Sequence, residues 1–399
     1  MRDRNNEEVI FWIVAVDILF MPYWNIVVVP ISYAIILWWV IKKYKVILKY
    51  DESVIIALSM FLMLVSTIYG SVYNYEYGVV GDNVKRLIQF YFAFGYYFFF
   101  KYNFEKYVID LKKIMWLFVL FVFGFAVLFN QNIGLFSKIT QMWNVGNTYN
   151  VIMQSSSLMN GVFRYNFIWT DPNNIAYAIT GIITFILLYT NTGVGEKIIL
   201  LAINIYVLVS SMSSGGWICF AISWLACILF KFKSKNVIRR YTSKKSLVIT
   251  YIVIIAIIAL WYMDVMEEVL KSDLVYNALN RLRNNEESRT AIWMRILKGD
   301  NIFKYILIGK GSELYIKGIS RATHSGHLFW IYAYGFLSYF IFIKEFFWVG
   351  LKNVQKYIPL ISFFLCFTMN TMVGEQKLLI IFLMIGCFIR RGKINESIS

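Results

Sequence analysis

The sequence is poor in the residues that usually form disulfides, metal sites and redox centres. Its 399 residues include only four cysteines, four prolines and two histidines, and its 23 acidic residues are outnumbered by 39 basic ones. The cysteines lie in apolar runs, where a thiol behaves as a small buried side chain. The two histidines lie three residues apart without carboxylates beside them. We therefore expect no metal and no cofactor.

The chain is rich in long hydrophobic runs. Hydrophobic residues make up 59% of the sequence and aromatic residues 19%, whereas a soluble domain is roughly half apolar. The apolar runs are about 15–20 residues long, enough to cross a ~30 Å hydrocarbon core. We predict an all-α polytopic membrane protein, a single domain over 1–399, with about 12 transmembrane helices. The predicted spans are 9–22, 24–41, 53–71, 86–100, 114–130, 173–190, 198–213, 215–231, 246–263, 326–343, 358–372 and 377–390.

The beginning of the chain leaves two alternatives open. The first apolar run is short, contains Asp17 and ends at Pro22, so residues 9–41 form either two spans or one interrupted span. Asp17 is the only carboxylate within a predicted span. It is either functional or a residue at the membrane interface.

The net charge of +16 comes largely from short basic clusters between the spans. With 12 spans these clusters fall on the same side as both termini, which is the positive-inside pattern of cytoplasmic loops. The charge therefore indicates topology, and we expect no nucleic-acid partner. The clusters are Lys42–Lys49, Lys101–Lys113, Lys231–Lys245, Lys344–Lys356 and Arg390–Lys393.

Two predicted outer loops are long enough to be functional rather than connective, residues 131–172 and 264–325. The second loop holds most of the polar side chains outside the basic clusters. In it, Asn284 followed by Glu287 is typical of a helix start, and one apolar helical face follows at Ile292, Trp293, Ile296 and Leu297. We expect a helix at the membrane surface that presents arginines near phosphate headgroups.

Three local patterns together resemble the O-antigen polymerase and ligase family of integral-membrane glycosyltransferases. The first is an arginine before a Pro-Asn pair at the start of a span, here Arg164 and Asp171-Pro172-Asn173. The second is an arginine–tryptophan helix that leads to Gly-x-Gly, here Ser288-Arg289-Thr290 with Trp293 and Ile308-Gly309-Lys310-Gly311. The third is a histidine at a span entrance, here His324-Ser325-Gly326-His327-Leu328 with Gly335.

One element of the family is missing from this chain. Family members often carry a Ser-Arg-Gly-like element near the outer end of an earlier span. Here the position has Ser213-Ser214-Gly215-Gly216, so no third family arginine is carried over. The layout is otherwise similar, with about a dozen spans and the largest outer loop before the last three.

The resemblance implies that the protein extends a polysaccharide at the outer face of a bacterial cytoplasmic membrane, with both termini inside. A glycan on undecaprenyl pyrophosphate is the donor, and a hydroxyl of a second lipid-linked repeat unit is the acceptor. A chain-length regulator and a flippase are further partners. Two alternatives stay open. One is a ligase of the same family that transfers finished glycan, and the other is a lipid-linked oligosaccharide flippase or another transporter.

The expected catalytic residues are Arg289 and His324. The leaving group is already a pyrophosphate, and an arginine holds phosphate oxygens bidentately and keeps its charge. Arg289 therefore contacts the pyrophosphate, or else ordinary lipid headgroups or a loop carboxylate such as Glu286. Histidine accepts a proton near neutrality. His324 is then a general base or a neutral hydrogen-bonding group for the acceptor hydroxyl, or else a cap on the next helix.

Six further residues are expected to bind substrate, each with a structural alternative: Arg164, Asp171, Asn173, Arg295, Arg321 and His327. Arg164 has the same two interpretations as Arg289. Asp171 and Asn173 either cap the helix that enters the membrane or contact substrate. Arg295 and Arg321 have solvated or lipid-facing positions as their alternative.

Overall fold

Helices dominate the described part of the chain. The computed structural model describes residues 2–21, 23–24, 29–143, 158–159, 162–169, 171–189, 192–234, 305–312, 315–316, 319–320, 325–347, 357–369 and 376–391. The helices are α1 (Arg2–Phe20), α2 (Tyr33–Ile47), α3 (Ser53–Tyr73), α4 (Val80–Gln131), α5 (Ile133–Trp143), α6 (Pro172–Tyr189), α7 (Val194–Ser211), α8 (Ser214–Ser234), α9 (Gly326–Tyr334), α10 (Phe336–Phe342), α11 (Ile358–Met369) and α12 (Gln376–Arg391).

Short irregular elements connect these helices. A 3-10 turn covers Tyr75–Tyr77, and a π-helical turn covers Ile343–Phe347. Three antiparallel pairs of two-residue strands complete the described elements. They are β1 (Tyr23–Trp24) with β2 (Val29–Pro30), β3 (Leu158–Met159) with β4 (Val162–Phe163), and β5 (Tyr315–Ile316) with β6 (Ile319–Ser320).

Four helical segments are long and apolar enough to cross a bilayer: Ser53–Tyr73, Lys113–Gln131, Pro172–Tyr189 and Val194–Ser211. Three shorter apolar helices are Ser214–Ile228, Ile358–Thr368 and Gln376–Ile389. The prediction of a helical membrane protein is confirmed at this level. The number of 12 spans stays a prediction, and the predicted span at 246–263 lies outside the described residues.

Helices α6 and α12 form the centre of the described bundle. Nearly every side chain of α6 is buried, as are the described side chains of α12 from Gln376 to Ile389. A helix that is apolar on all faces is expected in the interior. Around them, α2, α3, α7 and α8 bury one face and expose large apolar side chains on the other, such as Ile41, Val54, Ile198 and Leu225. These exposed faces suit contact with lipid.

The packing of α12 defines the two ends of the bundle. Its first residue, Gln376, donates to the carbonyl of Gln89 near the start of α4. Near its other end, the rings of Phe388 and Phe185 are 5.8 Å apart. Since Phe185 lies near the end of α6, the starts of α4, α6 and α12 lie at one end of the bundle. Asn83 at the start of α4 also donates to Ser71 at the end of α3.

Ion pairs mark the opposite end of the bundle. Lys101 pairs with Glu52, and Lys43 lies 3.3 Å from Glu7. Mainly through its hydrogen bond with Tyr102, the pKa of Lys43 is raised above its usual value. We call this the Glu52 end, and we call the end at which α6 begins the Arg164 end. Two of the predicted basic clusters, at Lys43 and Lys101, thus meet at the Glu52 end.

The structure differs from the predicted spans at three places. First, residues 9–41 contain two separate helices, α1 and α2, joined through β1 and β2. Neither is among the helices long and apolar enough to cross a bilayer, so the number of spans in residues 9–41 stays a prediction. Second, α4 is one helix of 52 residues, where the sequence predicts two spans. Gln89 near its start and Asn130 near its end both contact groups at the Arg164 end, so the predicted spans 86–100 and 114–130 lie within one bent helix. Third, the predicted span 326–343 is interrupted at Gly335, whose φ is +88°.

Asp17 is buried, and it has a cationic partner that the sequence did not reveal. Lys377 at the start of α12 lies 3.4 Å from the Asp17 carboxylate and donates to the carbonyls of Asp17 and Met21 at 2.6 and 2.5 Å. The backbone N–H and hydroxyl of Ser32 donate to the other carboxylate oxygen at 2.7 and 2.5 Å. This network joins α1, α12 and the start of α2. The two alternatives for Asp17, a functional residue or a residue at the membrane interface, both stay predictions.

Candidate functional site at the Arg164 end

Arg164 lies buried in the segment between β4 and α6. Its Nε donates to the carbonyl of Ser211 at 3.0 Å, and its Nη2 donates to Oδ1 of Asn173 at 3.3 Å. Ser211 is the last residue of α7, where helix carbonyls lack intrahelical partners and the helix dipole favours a cation. Two of the acceptors that hold the guanidinium in place therefore carry no formal charge.

Asn173 connects Arg164 to the carboxylate of Asp171. Oδ1 of Asp171 accepts from the backbone N–H and from Nδ2 of Asn173, both at 2.8 Å. Asp171 therefore caps α6, with Pro172 at the first helical position. The Asn173 amide then offers its oxygen to Arg164. The capping alternative for Asp171 is what the structure shows, and Asn173 bridges Asp171 to Arg164.

Ser213 is a further member of the site that the sequence did not identify. Its hydroxyl donates to Oδ1 of Asn173 at 2.7 Å and accepts from the N–H of Gly216 at 3.0 Å. The serine thus caps α8 and orients the Asn173 amide at once. We call Arg164, Asp171, Asn173, Ser211 and Ser213 the Arg164 cluster.

Two glycines let α8 begin in close contact with α6. A side chain at Gly215 would overlap the hydroxyl of Tyr177, and one at Gly216 would overlap Ala176. Both neighbours belong to α6. The run Ser213-Ser214-Gly215-Gly216 therefore lets α8 start directly against α6, which brings Ser213 within reach of Asn173.

Backbone strain occurs on both chain segments that build the cluster. Phe167 has φ of +59° and Met212 has φ of +47°, a region that costs non-glycine residues roughly 1–3 kcal/mol. Met212 lies between Ser211 and Ser213. The Phe167 ring is packed edge-on against Phe118 and Phe121, each with a centroid distance of 5.7 Å. Such strain persists only where the surrounding structure imposes it, and it concentrates at functional sites.

His327 joins α9 to α11 and α10. Its Nε2 lies 3.0 Å from Oγ1 of Thr368, and its Nδ1 lies 3.0 Å from the hydroxyl of Tyr339. Because the Thr368 hydroxyl donates to the carbonyl of Phe364 at 2.7 Å, it accepts from Nε2–H. Tyr339 then donates to Nδ1. Both ring nitrogens of the neutral imidazole have protein partners, and the expected substrate contact of His327 stays a prediction.

The arginine and histidine elements lie at the same end of the bundle. Gly181 of α6 packs against Pro359 and Ser362 of α11. Tyr189 at the end of α6 lies close enough to Tyr357, just before α11, for an electrostatic interaction, so the two helices run in opposite directions. The start of α6 with Asn173 then lies at the same end as Thr368, the partner of His327. The expected residues Arg289, Arg295, Arg321 and His324 lie outside the described residues.

The cluster defines a helical membrane protein with a buried, preorganised arginine at one end of its bundle. Within the ranges given above, no three His, Cys, Asp or Glu side chains come together as potential metal ligands. Comparison of the chain with protein-family models, with curated proteins and with solved structures gives no match.

Proposed function

We propose that the protein polymerises lipid-linked oligosaccharide repeat units into a surface polysaccharide. A glycan on undecaprenyl pyrophosphate is transferred to a hydroxyl of a second lipid-linked unit, with the lipid pyrophosphate as leaving group. The proposal rests on the three sequence patterns that resemble the polymerase and ligase family. The number of about 12 spans and the chain's place in a bacterial cytoplasmic membrane belong to the same proposal.

The observation that carries the proposal is the way in which Arg164 is held. Its guanidinium donates to the carbonyl of Ser211 and the amide oxygen of Asn173, and that amide in turn donates to Asp171. These two hydrogen bonds to fixed backbone and amide groups orient the planar fork of the guanidinium before a phosphate arrives. In a buried site such an arginine stabilises the charge that develops on a leaving pyrophosphate.

The orientation that we propose is supported by the charge at one end of the bundle. The Glu52 end carries the basic residues Lys42, Lys43, Lys45, Lys49 and Lys101, as cytoplasmic ends do. The Arg164 end then faces outward, where a flipped lipid-linked repeat unit is presented. In this orientation Arg164 and the beginning of α9 both lie at the outer surface.

The ligase alternative uses the same donor and differs only in the acceptor. The transporter alternative gains one observation, the buried pair of Asp17 and Lys377, because charged groups inside membranes often mark transport pathways. In this chain the pair is bound by Ser32 and by backbone carbonyls. We therefore interpret it as a fixed connection between helices.

Replacement of Arg289 or His324 by alanine in the native host tests the proposal. We expect single repeat units to persist on the cell surface while long chains vanish, with the protein still present in membranes. Normal chain length in both variants would overturn the assignment of these residues. Loss of all exported units, including single ones, would support transport instead.

A further inference from the structure

The lysines at the Glu52 end fall into two sets. Lys43 and Lys101 are partly buried and pair with Glu7 and Glu52. The second set lies on the outside of α2 and in the turn that follows it, and its exposed members are Lys42, Lys45 and Lys49. Within the described part of the chain none of these three forms an ion pair, not even with Asp51 two positions after Lys49. We call Lys42, Lys45 and Lys49 the lysine patch.

The backbone holds the lysine patch on one side of α2. Lys42 and Lys45 lie three positions apart in the helix, and residues at this spacing are neighbours on a helix surface. Beyond the helix, Leu48 keeps right-handed helical dihedral angles, φ −64° and ψ −16°, and the N–H of Lys49 donates to the carbonyl of Val46 at 3.1 Å. Lys49 therefore stays on the side of Lys45. The first and last lysines of the patch lie about 10 Å apart along the axis.

Two aromatic rings accompany the lysine patch. Nζ of Lys42 lies 4.8 Å from the ring centroid of Trp38, one turn earlier in α2, and this ring is 48% exposed. Nζ of Lys45 lies 5.9 Å from the ring centroid of Tyr44. An aromatic face attracts an ammonium without removing its charge, and tryptophan and tyrosine are enriched where membrane meets water. This combination places the lysine patch at the level of the lipid headgroups.

An apolar strip runs along α2 beside the lysine patch. Leu37, Ile41 and Leu48 are 52%, 65% and 64% exposed, and their spacing of four and seven positions places them on one helical face. Another face of α2 packs into the bundle, where the rings of Trp39 and Phe99 are 5.3 Å apart. The strip therefore faces lipid, and it reaches the Glu52 end at Leu48.

We propose that the lysine patch binds the phosphate of an anionic phospholipid, whose acyl chains lie along Leu37, Ile41 and Leu48. The positive charge of the patch complements the negative headgroup, and a lysine close to the membrane surface strengthens binding of anionic lipid roughly fivefold. The site lies at the opposite end of the bundle from Arg164. The inference therefore goes beyond the proposed polymerase activity and does not depend on it.

Charge and apolar surface together select this occupant over two others. A soluble anion such as inorganic phosphate would use the lysines alone, whereas a lipid also buries apolar area against the strip. Phosphatidylcholine would bury the same area, but its choline group carries a positive charge that the lysine patch repels. Only a lipid with a net negative headgroup satisfies both the patch and the strip.

Native mass spectrometry of the full chain in detergent, with phosphatidylglycerol as the probe, tests the inference. At equal lipid concentration we expect the triple variant Lys42→Gln, Lys45→Gln, Lys49→Gln to bind one lipid fewer than the wild type, because roughly fivefold per lysine compounds to about a hundredfold. Arginine at the same three positions should retain the lipid. The charge-matched control replaces one lysine in each of α4, α5 and α7 by glutamine and should also retain it: Lys85, Lys138 and Lys197.

Four results would overturn the inference. Equal numbers of lipids on the wild type and the triple variant would remove the site, and an equal loss in the charge-matched control would show an effect of net charge alone. Release of the lipid by an equal concentration of inorganic phosphate would identify a site for soluble anions. Equal retention of phosphatidylcholine would identify a surface without charge preference. Elution of the triple variant as a folded monodisperse protein shows that its loss of lipid is local.

Discussion

Arg164 and Asn173 are joined by one hydrogen bond, from Nη2 of the guanidinium to the amide oxygen 3.3 Å away. The same amide donates to the Asp171 carboxylate, so it separates a cation from an anion in a buried site. An aspartate at position 173 would instead place a carboxylate directly against the arginine. A carboxylate at position 173 would therefore weaken the attraction of Arg164 for an external phosphate.

The exchange Asp171→Asn with Asn173→Asp tests this relationship. Asparagine and aspartate cap helices about equally well, so we expect the thermal stability of the double variant to stay within about 1 kcal/mol of the wild type. Chain elongation should fall roughly tenfold to a hundredfold, because Arg164 then pairs with a carboxylate. A glycan ladder of normal length from the folded double variant would show that the charge of Arg164 is not used.

Ser213→Ala removes the hydroxyl that orients Asn173 and caps α8. We expect a loss of about 1 kcal/mol of stability from the cap, together with shorter glycan chains because Arg164 loses its aligned acceptor. Ser214→Ala changes the exposed neighbour and should leave both properties unchanged. Equal behaviour of the two variants in thermal unfolding and in glycan length would remove Ser213 from the site.

Gly70→Ala tests the insertion of residues 305–312 against α3. Alanine normally stabilises a helix interior by about 1 kcal/mol relative to glycine, but here the added methyl group would overlap the Lys310 carbonyl. We expect a net destabilisation of about 1–3 kcal/mol, as in other overpacked sites. Gly124→Ala in α4 has open space around it and should be neutral or stabilising. Thermal unfolding in detergent compares the two, and a Gly70→Ala protein as stable as Gly124→Ala would contradict the insertion.

Lys377→Met tests the buried ion pair. Removal of one partner leaves the Asp17 carboxylate buried without its cation, which costs about 3–5 kcal/mol. The double variant Asp17→Asn with Lys377→Met should recover most of that loss, since the asparagine side chain is uncharged and still accepts from Ser32. Lys344→Met is the control, because Lys344 pairs with Glu345 at 3.7 Å in an exposed position and such pairs contribute about 1 kcal/mol or less. Equal melting temperatures for the Lys377 and Lys344 variants would contradict this account.

The helices that the sequence predicts well are those whose ends coincide with the ends of an apolar run. For α3 the prediction is 53–71 and the structure has Ser53–Tyr73, and for α6 the prediction is 173–190 and the structure has Pro172–Tyr189. The continuity of α4 was not predicted, because the basic residues 101–113 were interpreted as a loop although lysine and glutamate favour helices. The amphipathic α5 was missed in the same way, within a segment interpreted as a loop.

The sequence predicts which residues form the site, but not the hydrogen bonds and ion pairs between them. The motif with Arg164, Asp171 and Asn173 places three polar side chains within ten positions, and local capping rules account for one bond among them. The partner of Asp17 is 360 positions away, and no local rule relates the two. Likewise, the interruption at Gly335 depends on contacts with residues 305–312, and glycine alone signals only that such a contact is permitted.

The most direct test of the polymerase proposal uses the purified protein in liposomes with undecaprenyl-pyrophosphate-linked repeat units from its host. We predict a ladder of products with two, three and more units and release of undecaprenyl pyrophosphate, and loss of both in folded Arg164→Lys, because lysine lacks the planar bidentate fork. The proposal would be contradicted if the wild-type protein left the repeat units unextended and moved them from one leaflet to the other.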